Sequence, residues 1–321
     1  MATLLLNPAC ARGDAYPAEL RALLSVEGAR RAHASVYAWP GYAATPLVPL
    51  PQLAARLGVA SLLVKDEGRR FSVGSFKALG GALAVLRAVE GARPAAVACA
   101  TDGNHGRAVA WGAQRAGVAA FVFVHSTVSE ARADAIASFG ATVVREGATY
   151  DDAVRACAAA AARHGWCLIS DTAAASPDGA TAFDAATVCV TQGYSVVALE
   201  IDEAGERPTH VFVQAGVGGL AAGLLSYRWE RFGTHRPVMT VVEPERAACC
   251  FASALAGALV SVGGPLDTLC AGLACGEPSA LAWRVLARGC DAFMTITDEC
   301  VAFLFCASAV ALCIALPGVS L

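Results

Sequence analysis

One lysine stands where its amine could act as a nucleophile. Lys77 follows a Gly-Ser turn and Phe76, and it opens an Ala- and Leu-rich segment with helical spacing. Desolvation among apolar residues lowers the pKa of a lysine, and the uncharged amine can form a Schiff base with a carbonyl group. The amides of a helix N-terminus also attract phosphate or carboxylate groups. The segment predicts either a Schiff-base lysine or an ordinary lysine at a helix start.

Two further segments place polar or glycine-rich turns between a strand and a helix. The first, Ala100 to Gly106, contains Asp102, Asn104 and His105. Ligands of open α/β folds bind at this edge of the sheet, although such residues also simply cap helices. The second is Gly216 to Gly219, whose successive amides can converge on an anion. We give His105 no catalytic role, because a locally bonded histidine is the more common case.

Other glycine-rich nucleotide sites fit the sequence poorly. No G-x-G-x-x-G opens the first βαβ unit with an acidic residue at the usual distance beyond it, so a Rossmann site is weakly supported. No G-K-[ST] follows any glycine loop, which excludes a P-loop.

Short apolar runs alternate with helical patterns along most of the chain, which predicts an α/β fold with mainly parallel sheets. The predicted strands are Ser61–Val64, Ala95–Ala100, Ala119–Val124, Thr142–Val144, His210–Val213 and Met239–Val242. The predicted helices include Lys77–Val89, His105–Ala116 and Tyr150–His164.

The composition argues against several classes of partner. The formal net charge of the 321 residues is −3, and basic residues form no cluster longer than a pair, so we expect no nucleic-acid or membrane partner. The 13 cysteines are scattered and lack zinc spacing, so we expect free, largely buried thiols in a reducing compartment and no metal site. The first fifteen residues contain no basic region and do not resemble a secretory signal.

Taken in order, the three segments resemble the fold-type II pyridoxal-phosphate enzymes, which are similar to the tryptophan synthase β subunit in fold. The resemblance rests on Ser75-Phe76-Lys77, Gly103-Asn104-His105-Gly106 and Gly216 to Gly219. It implies two α/β lobes with pyridoxal 5′-phosphate in the cleft between them, held by Lys77 as a Schiff base. The cofactor-binding residues implied are Lys77, Phe76, Asn104, Gly216, Val217, Gly218, Gly219 and Leu220. The implied lobes are residues 1–94 with 186–321, which bind the cofactor, and residues 95–185.

Finer similarity points to the diaminopropionate ammonia-lyase family. It is carried by KDEGRRFSVGSFKALGG from Lys65, by HGWCLISDTA from His164 and by AGLACGEPS from Ala271. The family converts 2,3-diaminopropionate to pyruvate and two molecules of ammonia by α,β-elimination. The resemblance implies Lys77, Asp102 and Asp171 as catalytic residues, with Asp102 opposite Lys77 across the cofactor plane. It also implies a cytoplasmic homodimer.

The pattern departs from the family in two places. After Ala173 the chain lacks the Trp-Glu-Gly-Tyr-like segment, and past Glu299 it lacks the segment that meets the pyridine nitrogen. We therefore expect a C-terminally incomplete lobe, with Val301 to Leu316 as a buried apolar helix that is short for a membrane span. A serine or threonine dehydratase, a truncated inactive pseudoenzyme and a tail-anchored membrane protein are the alternatives.

Overall fold

The computed structural model describes residues 2–101, 103–173 and 183–301. This part contains ten strands: β1 Thr3–Leu6, β2 Leu47–Pro49, β3 Leu63–Lys65, β4 Ala96–Ala100, β5 Ala119–Val124, β6 Thr142–Arg145, β7 Cys167–Leu168, β8 His210–Gln214, β9 Val238–Pro244 and β10 Ala292–Ile296. It contains eleven α-helices: α1 Ala18–Arg21, α2 Val26–Tyr37, α3 Pro51–Leu57, α4 Lys77–Ala92, α5 Asn104–Ala116, α6 Glu130–Ala137, α7 Tyr150–His164, α8 Ala185–Glu203, α9 Gly219–Phe232, α10 Cys249–Ala256 and α11 Ala280–Gly289.

The strands form two parallel or mostly parallel sheets and one hairpin. One sheet has the order β6-β5-β4-β7 with every pair parallel, and the other has the order β1-β10-β9-β8 with only β1 antiparallel. Strands β2 and β3 form a separate antiparallel pair. Parallel strands need crossover connections, and here helices supply most of them. The predicted α/β fold with mainly parallel sheets is confirmed.

Helices α4, α8 and α9 pack closely enough that glycine is required at the contacts. A Cβ on Gly193 of α8 would lie 2.0 Å from the carbonyl oxygen of Leu79 in α4. A Cβ on Gly223 of α9 would lie 2.7 Å from the carbonyl oxygen of Thr191 in α8. These contacts fix the start of α4, which carries Lys77, relative to the start of α9.

Most predicted elements lie within a few residues of their observed bounds. The predicted helix Tyr150–His164 has the observed bounds, whereas the strand predicted at Ser61–Val64 is observed at Leu63–Lys65. Strands β1, β2, β7 and β10 were not predicted. Strand β7 has only two residues, too short for a period to be visible. The division into lobes of residues 1–94 with 186–321 and of 95–185 stays a prediction.

The cysteines of the described ranges are free thiols, and Cys99 and Cys157 are buried as expected, while Cys189 is half-buried. Within residues 2–101, 103–173 and 183–301, no helix is both long and apolar enough to cross a bilayer. The apolar segment predicted to be a helix, Val301 to Leu316, lies outside the described residues apart from Val301, as does Asp102.

Candidate active site

Lys77 meets a carboxylate at the start of α4. Its Nζ lies 2.5 Å from Oδ2 of Asp171, and the two side chains are 19% and 13% exposed. Asp171 follows β7, which pairs with β4 in parallel, so the turns after both strands lie at one edge of the sheet. The structure therefore brings together two predicted catalytic residues that are 94 positions apart.

The predicted lowering of the lysine pKa is wrong. Burial lowers the pKa of Lys77, but the charge and hydrogen bond of Asp171, together with Tyr194 and Cys275, outweigh burial, so the net pKa lies above the usual lysine range. Burial raises the pKa of Asp171, but His105 and Lys77 outweigh this and hold it below the usual range. The two groups therefore form a largely buried ion pair, in which the Asp171 carboxylate favours the protonated form of the Lys77 amine.

His105 is the third side chain of this cluster. Its Nε2 lies 2.9 Å from the carbonyl oxygen of Ile169, and its Nδ1 lies 3.8 Å from Oδ2 of Asp171. Burial lowers the pKa of His105, and Asp171 offsets this only in part, so the ring is neutral near pH 7. Nδ1 is buried and has no hydrogen-bond partner among the described residues. His105, which we predicted to have no catalytic role, thus lies one residue from Asn104 and directly beside the ion pair.

Two aromatic rings flank the lysine amine. Nζ lies 5.6 Å from the ring centroid of Phe76 and 5.7 Å from that of Tyr194. The two rings meet edge to face with centroids 5.1 Å apart. Burial raises the pKa of Tyr194, so its hydroxyl keeps its proton. Tyr194 also connects this cluster to the glycine loop, because a Cβ on Gly219 would lie 3.5 Å from its Cε2.

The segment Gly216 to Leu220 turns from β8 into α9. Gly218 has φ +87°, in the left-handed region that favours glycine, and a Cβ on Gly216 would lie 2.8 Å from Sγ of Cys275. The first backbone hydrogen bond inside α9 runs from the amide of Ala222 to Gly218, so the amides of Gly219, Leu220 and Ala221 have no partner within the helix. These amides offer the anion-binding end of a helix dipole.

Buried side chains of the segment after β9 contact the backbone of the glycine loop. The thiols of Cys249 and Cys250 donate to the carbonyl oxygen of Gly216 at 3.4 and 3.8 Å. The Glu243 carboxylate accepts the backbone N–H groups of Cys250 and Phe251 at 2.8 and 2.7 Å. The ligand atoms of Glu243, Cys249 and Cys250 lie within 4.8 Å of one another, so the described residues contain one group able to hold a metal ion. The expected absence of a metal stays a prediction.

Two further predicted site residues, Asn104 and Val217, lie at the start of α5 and in the glycine loop. Asn104 begins α5 and is exposed, while Thr101 holds the preceding turn by accepting the amides of Gly103 and Gly106 at 3.0 and 3.1 Å. Asp102, also predicted as catalytic, lies outside the described residues. Val217 accepts a backbone hydrogen bond from Ser279 at 2.9 Å, which ties the glycine loop to the start of α11.

A phosphorylated aldehyde cofactor fits these residues. The side chain of Lys77 is largely buried, and the Gly216 and Gly218 positions form a turn that has no room for a Cβ. Among the described residues, Nδ1 of His105 is a buried polar atom without a hydrogen-bond partner, and it lies 3.8 Å from the Asp171 carboxylate. The amides at the start of α9 supply the anion site that a phosphate needs.

Comparison with known proteins agrees with this chemistry. A family model described as "Pyridoxal-phosphate dependent enzyme" matches residues 38–307. The diaminopropionate ammonia-lyase of Escherichia coli K12 is 38% identical over 284 residues, which cover 82% of this chain and 70% of that protein. The chain belongs to the diaminopropionate ammonia-lyase family of pyridoxal-phosphate-dependent enzymes.

Solved structures support the family assignment. The E. coli diaminopropionate ammonia-lyase, in complex with an aminoacrylate-PLP azomethine reaction intermediate, superposes with a TM-score of 0.81 at 34% identity, covering 94% of this chain and 78% of that one. The biosynthetic L-threonine dehydratase of Salmonella typhimurium is 31% identical over 66% of this chain and 38% of that protein. Similarity to the ammonia-lyase therefore extends over more of both chains than similarity to the dehydratase.

Two residues of the site had no predicted role. Tyr194 belongs to the Gln192-Gly193-Tyr194 segment, which resembles the ammonia-lyase family but predicted no role for the tyrosine. Ser279 donates its backbone N–H to Val217 of the glycine loop, and its Oγ accepts the amide of Ala173, two residues after Asp171, at 3.1 Å. No sequence signal joins Ser279 to Asp171, because the contact spans 106 positions.

Proposed function

We propose that this protein is a pyridoxal-phosphate-dependent lyase that converts 2,3-diaminopropionate and water to pyruvate and two molecules of ammonia. The observation that carries the proposal is the largely buried Lys77–Asp171 pair. Asp171 lies 3.8 Å from His105 in the first turn of α5, and Lys77 lies over the Tyr194 ring that meets Gly219 of the glycine loop. The membership of the chain in the ammonia-lyase family supports the choice of reaction.

The cofactor would be held at three points of the cleft. Lys77 would bind it covalently, Asn104 would face its 3′-hydroxyl, and the loop from Gly216 to Leu220 would bind its phosphate. Phe76 would pack beside it. When bound, pyridoxal phosphate supplies an electron sink that stabilises negative charge at the substrate Cα.

Lys77 and Asp171 are placed to move protons at one atom, Nζ. The Asp171 carboxylate lies 2.5 Å from Nζ and would stabilise the ammonium form that the amine adopts when it takes up a proton. His105 is neutral and adds no charge to the site, and the half-buried ring of Phe76 and the buried ring of Tyr194 limit the access of water to Nζ. We propose the amine of Lys77 as the group that removes the Cα proton on one face of the substrate.

Asp102 is the proposed base for the opposite face. In the sequence it stands between Thr101 and Gly103, two positions before Asn104, whose side chain is exposed. A carboxylate at that position would also pair with the distal ammonium group of the substrate, which serine and threonine lack. Two bases on opposite faces would serve both stereoisomers, so Asp102→Asn should reduce the rate on at least one isomer by about 100-fold or more. Unchanged rates on both isomers would remove Asp102 from the mechanism.

The chain contains two lysines, Lys65 and Lys77, which makes the covalent test decisive. Lys65 is engaged by the Glu200 carboxylate at 2.6 Å and the Thr45 carbonyl oxygen at 2.7 Å. Borohydride reduction of the cofactor-loaded protein, followed by peptide mass spectrometry, should place the pyridoxyl group on Lys77. The matched variants are Lys77→Arg, which should lose the label and pyruvate formation, and Lys65→Arg, which should keep both.

Substrate choice is tested on the same purified protein. Pyruvate formation from both isomers of 2,3-diaminopropionate should exceed formation of the keto acid from serine or threonine. Faster turnover of serine or threonine would assign the chain to the dehydratases. Absence of turnover with a normal Lys77 label would identify a pseudoenzyme that binds the cofactor.

We also propose a homodimer in the cytoplasm, acting on a small amino acid. The free thiols among the described residues support a reducing compartment. The dimer is implied by family resemblance, and light scattering on the purified holoenzyme measures it directly.

A further inference from the structure

A strongly cationic cavity lies outside the Lys77 site, and Lys77 is not among the residues of its walls. It has a volume of about 310 Å³, at the lower end of the range for small-ligand pockets, and its walls carry aromatic and basic side chains. The basic residues of its walls are Arg12, Arg207, Arg228, His235 and Arg236, and the aromatic one is Phe232.

Asp291 neutralises one side of this cavity. Its Oδ1 accepts from Arg12 at 2.7 Å, and its Oδ2 accepts from Arg236 at 2.7 Å. One carboxylate is therefore shared by two guanidinium groups.

Asp202 neutralises the other side less completely. It contacts Arg207 directly, but Arg228 and Arg231 are each 3.7 Å from its oxygens. The guanidinium carbons of these three arginines surround the Phe232 ring at 5.3 to 5.6 Å from its centroid. Among the described residues, the four arginines of the cavity walls thus share two carboxylates, which leaves two positive charges without a carboxylate.

Two buried arginines show the effect of this imbalance. Arg236 is 1% exposed, and its Nε has no hydrogen-bond partner among the described residues. Arg228 is 3% exposed, and burial lowers its pKa more than Asp202 raises it, with Arg207 adding to the lowering. A buried donor without a partner and a buried cation with too little counter-charge are both costly in free energy. An anion in the cavity would reduce both costs.

The cavity is separate from the proposed cofactor phosphate site. Arg228 lies nine residues after Gly219 in the same helix α9, a distance of about 13 Å along the axis. The glycine loop uses the N-terminal end of α9, whereas the cavity is built around its C-terminal turns. An anion in this cavity is therefore additional to the cofactor.

We propose that this cavity is a binding site for a small anion carrying a phosphoryl group. A phosphoryl group has a charge of about −1.5 to −2 at pH 7, which matches the two uncompensated positive charges. The planar donor forks of guanidinium groups match its oxygens, and the size of the cavity admits a small metabolite rather than a polymer.

The test uses the cofactor-loaded enzyme, freed of excess cofactor, so that the glycine loop is occupied. Inorganic phosphate is titrated by calorimetry at constant ionic strength, with chloride as the replaced anion. We expect saturable binding of one phosphate per chain. Arg207→Gln and Arg12→Gln should each weaken this binding by about tenfold or more, because each removes a charge-assisted hydrogen bond.

The matched control is Arg288→Gln. Arg288 is as exposed as Arg207, at 52% against 55%, and it also pairs with an aspartate, but it lies outside the cavity walls. This variant should bind phosphate as the unaltered protein does. Absence of saturable binding, equal binding in all variants, or an equal loss in Arg288→Gln would each overturn the proposal.

Discussion

Replacing Asp171 by asparagine separates the charge of the Lys77 partner from its shape. In the folded protein Nζ and Oδ2 are 2.5 Å apart and both side chains are largely buried. Asparagine keeps a polar oxygen near Nζ but removes the negative charge. Burial then determines the pKa of Lys77, which falls because the charged form is no longer compensated.

The size of the effect follows from breaking a buried pair. Removal of one partner from a buried ion pair typically costs about 3 to 5 kcal/mol. Lys77 limits this cost because it can release its proton. Releasing the proton costs about 1.4 kcal/mol for each unit by which the pH lies below the pKa of Lys77. We therefore expect Asp171→Asn to lower the free energy of unfolding of the cofactor-free protein by about 3 kcal/mol at pH 7.

The assay is the rate at which pyridoxal phosphate rebinds to the cofactor-free protein, followed by absorbance across a pH series. The covalent step needs the neutral amine of Lys77, so the rate in Asp171→Asn should begin to rise at a lower pH than in the unaltered protein. Pyruvate formation should fall by about 100-fold or more, because the ammonium that Nζ forms on taking up the substrate proton loses its counter-charge.

The matched control is Asp291→Asn. Asp291 is also 13% exposed and also pairs with buried or partly buried cations, but it lies far from Lys77. This variant should lose stability while its rebinding rate keeps the original pH dependence. If Asp171→Asn and Asp291→Asn give the same pH profile, Asp171 does not control the protonation of Lys77.

Three further changes test the packing and the glycine loop. Gly193→Ala should lower the free energy of unfolding by about 3 kcal/mol in urea denaturation, because its Cβ would lie 2.0 Å from the Leu79 oxygen, whereas Gly91→Ala, with open space around it, should not destabilise. Gly218→Ala should weaken cofactor affinity by about tenfold in equilibrium dialysis, since φ +87° is costly with a Cβ; unchanged affinity would contradict a role for this loop. Burial raises the pKa of Glu243 from 4.5 to about 7, so its contribution to stability is complete below pH 4.5 and is lost as the pH rises through 7. Between pH 4.5 and 7 the free energy of unfolding of the unaltered protein should fall by about 3 kcal/mol more than that of Glu243→Gln. If the free energy of unfolding has the same pH dependence in both proteins, the pKa of Glu243 is not raised.

Local sequence was sufficient for the elements that carry the cofactor residues. Each motif stands at a junction between an apolar run and a helical pattern, and these junctions depend on the turn residues and on periodicity over a few positions. Helices α4 and α5 therefore begin at or next to the positions expected from Lys77 and His105. The glycine loop likewise follows β8 as predicted.

Local sequence was not sufficient for strands that depend on their partners. Strand β7 exists because Cys167 and Leu168 pair with Val97 and Ala98, and two residues show no periodicity of their own. Strand β10 lies between β1 and β9, so its position depends on neighbours at opposite ends of the chain.

The sequence by itself determined which residue types stand at the site, and in which order: a lysine, an asparagine turn and a glycine loop. Only the tertiary structure decided their electrostatics. Apolar neighbours predicted a lowered pKa for Lys77, but the fold brings Asp171 to 2.5 Å and reverses the direction. A charge interaction depends on distance in space and on burial, and neither can be read from separation along the chain. The same reason hides the cationic cavity, whose arginines come from distant parts of the sequence.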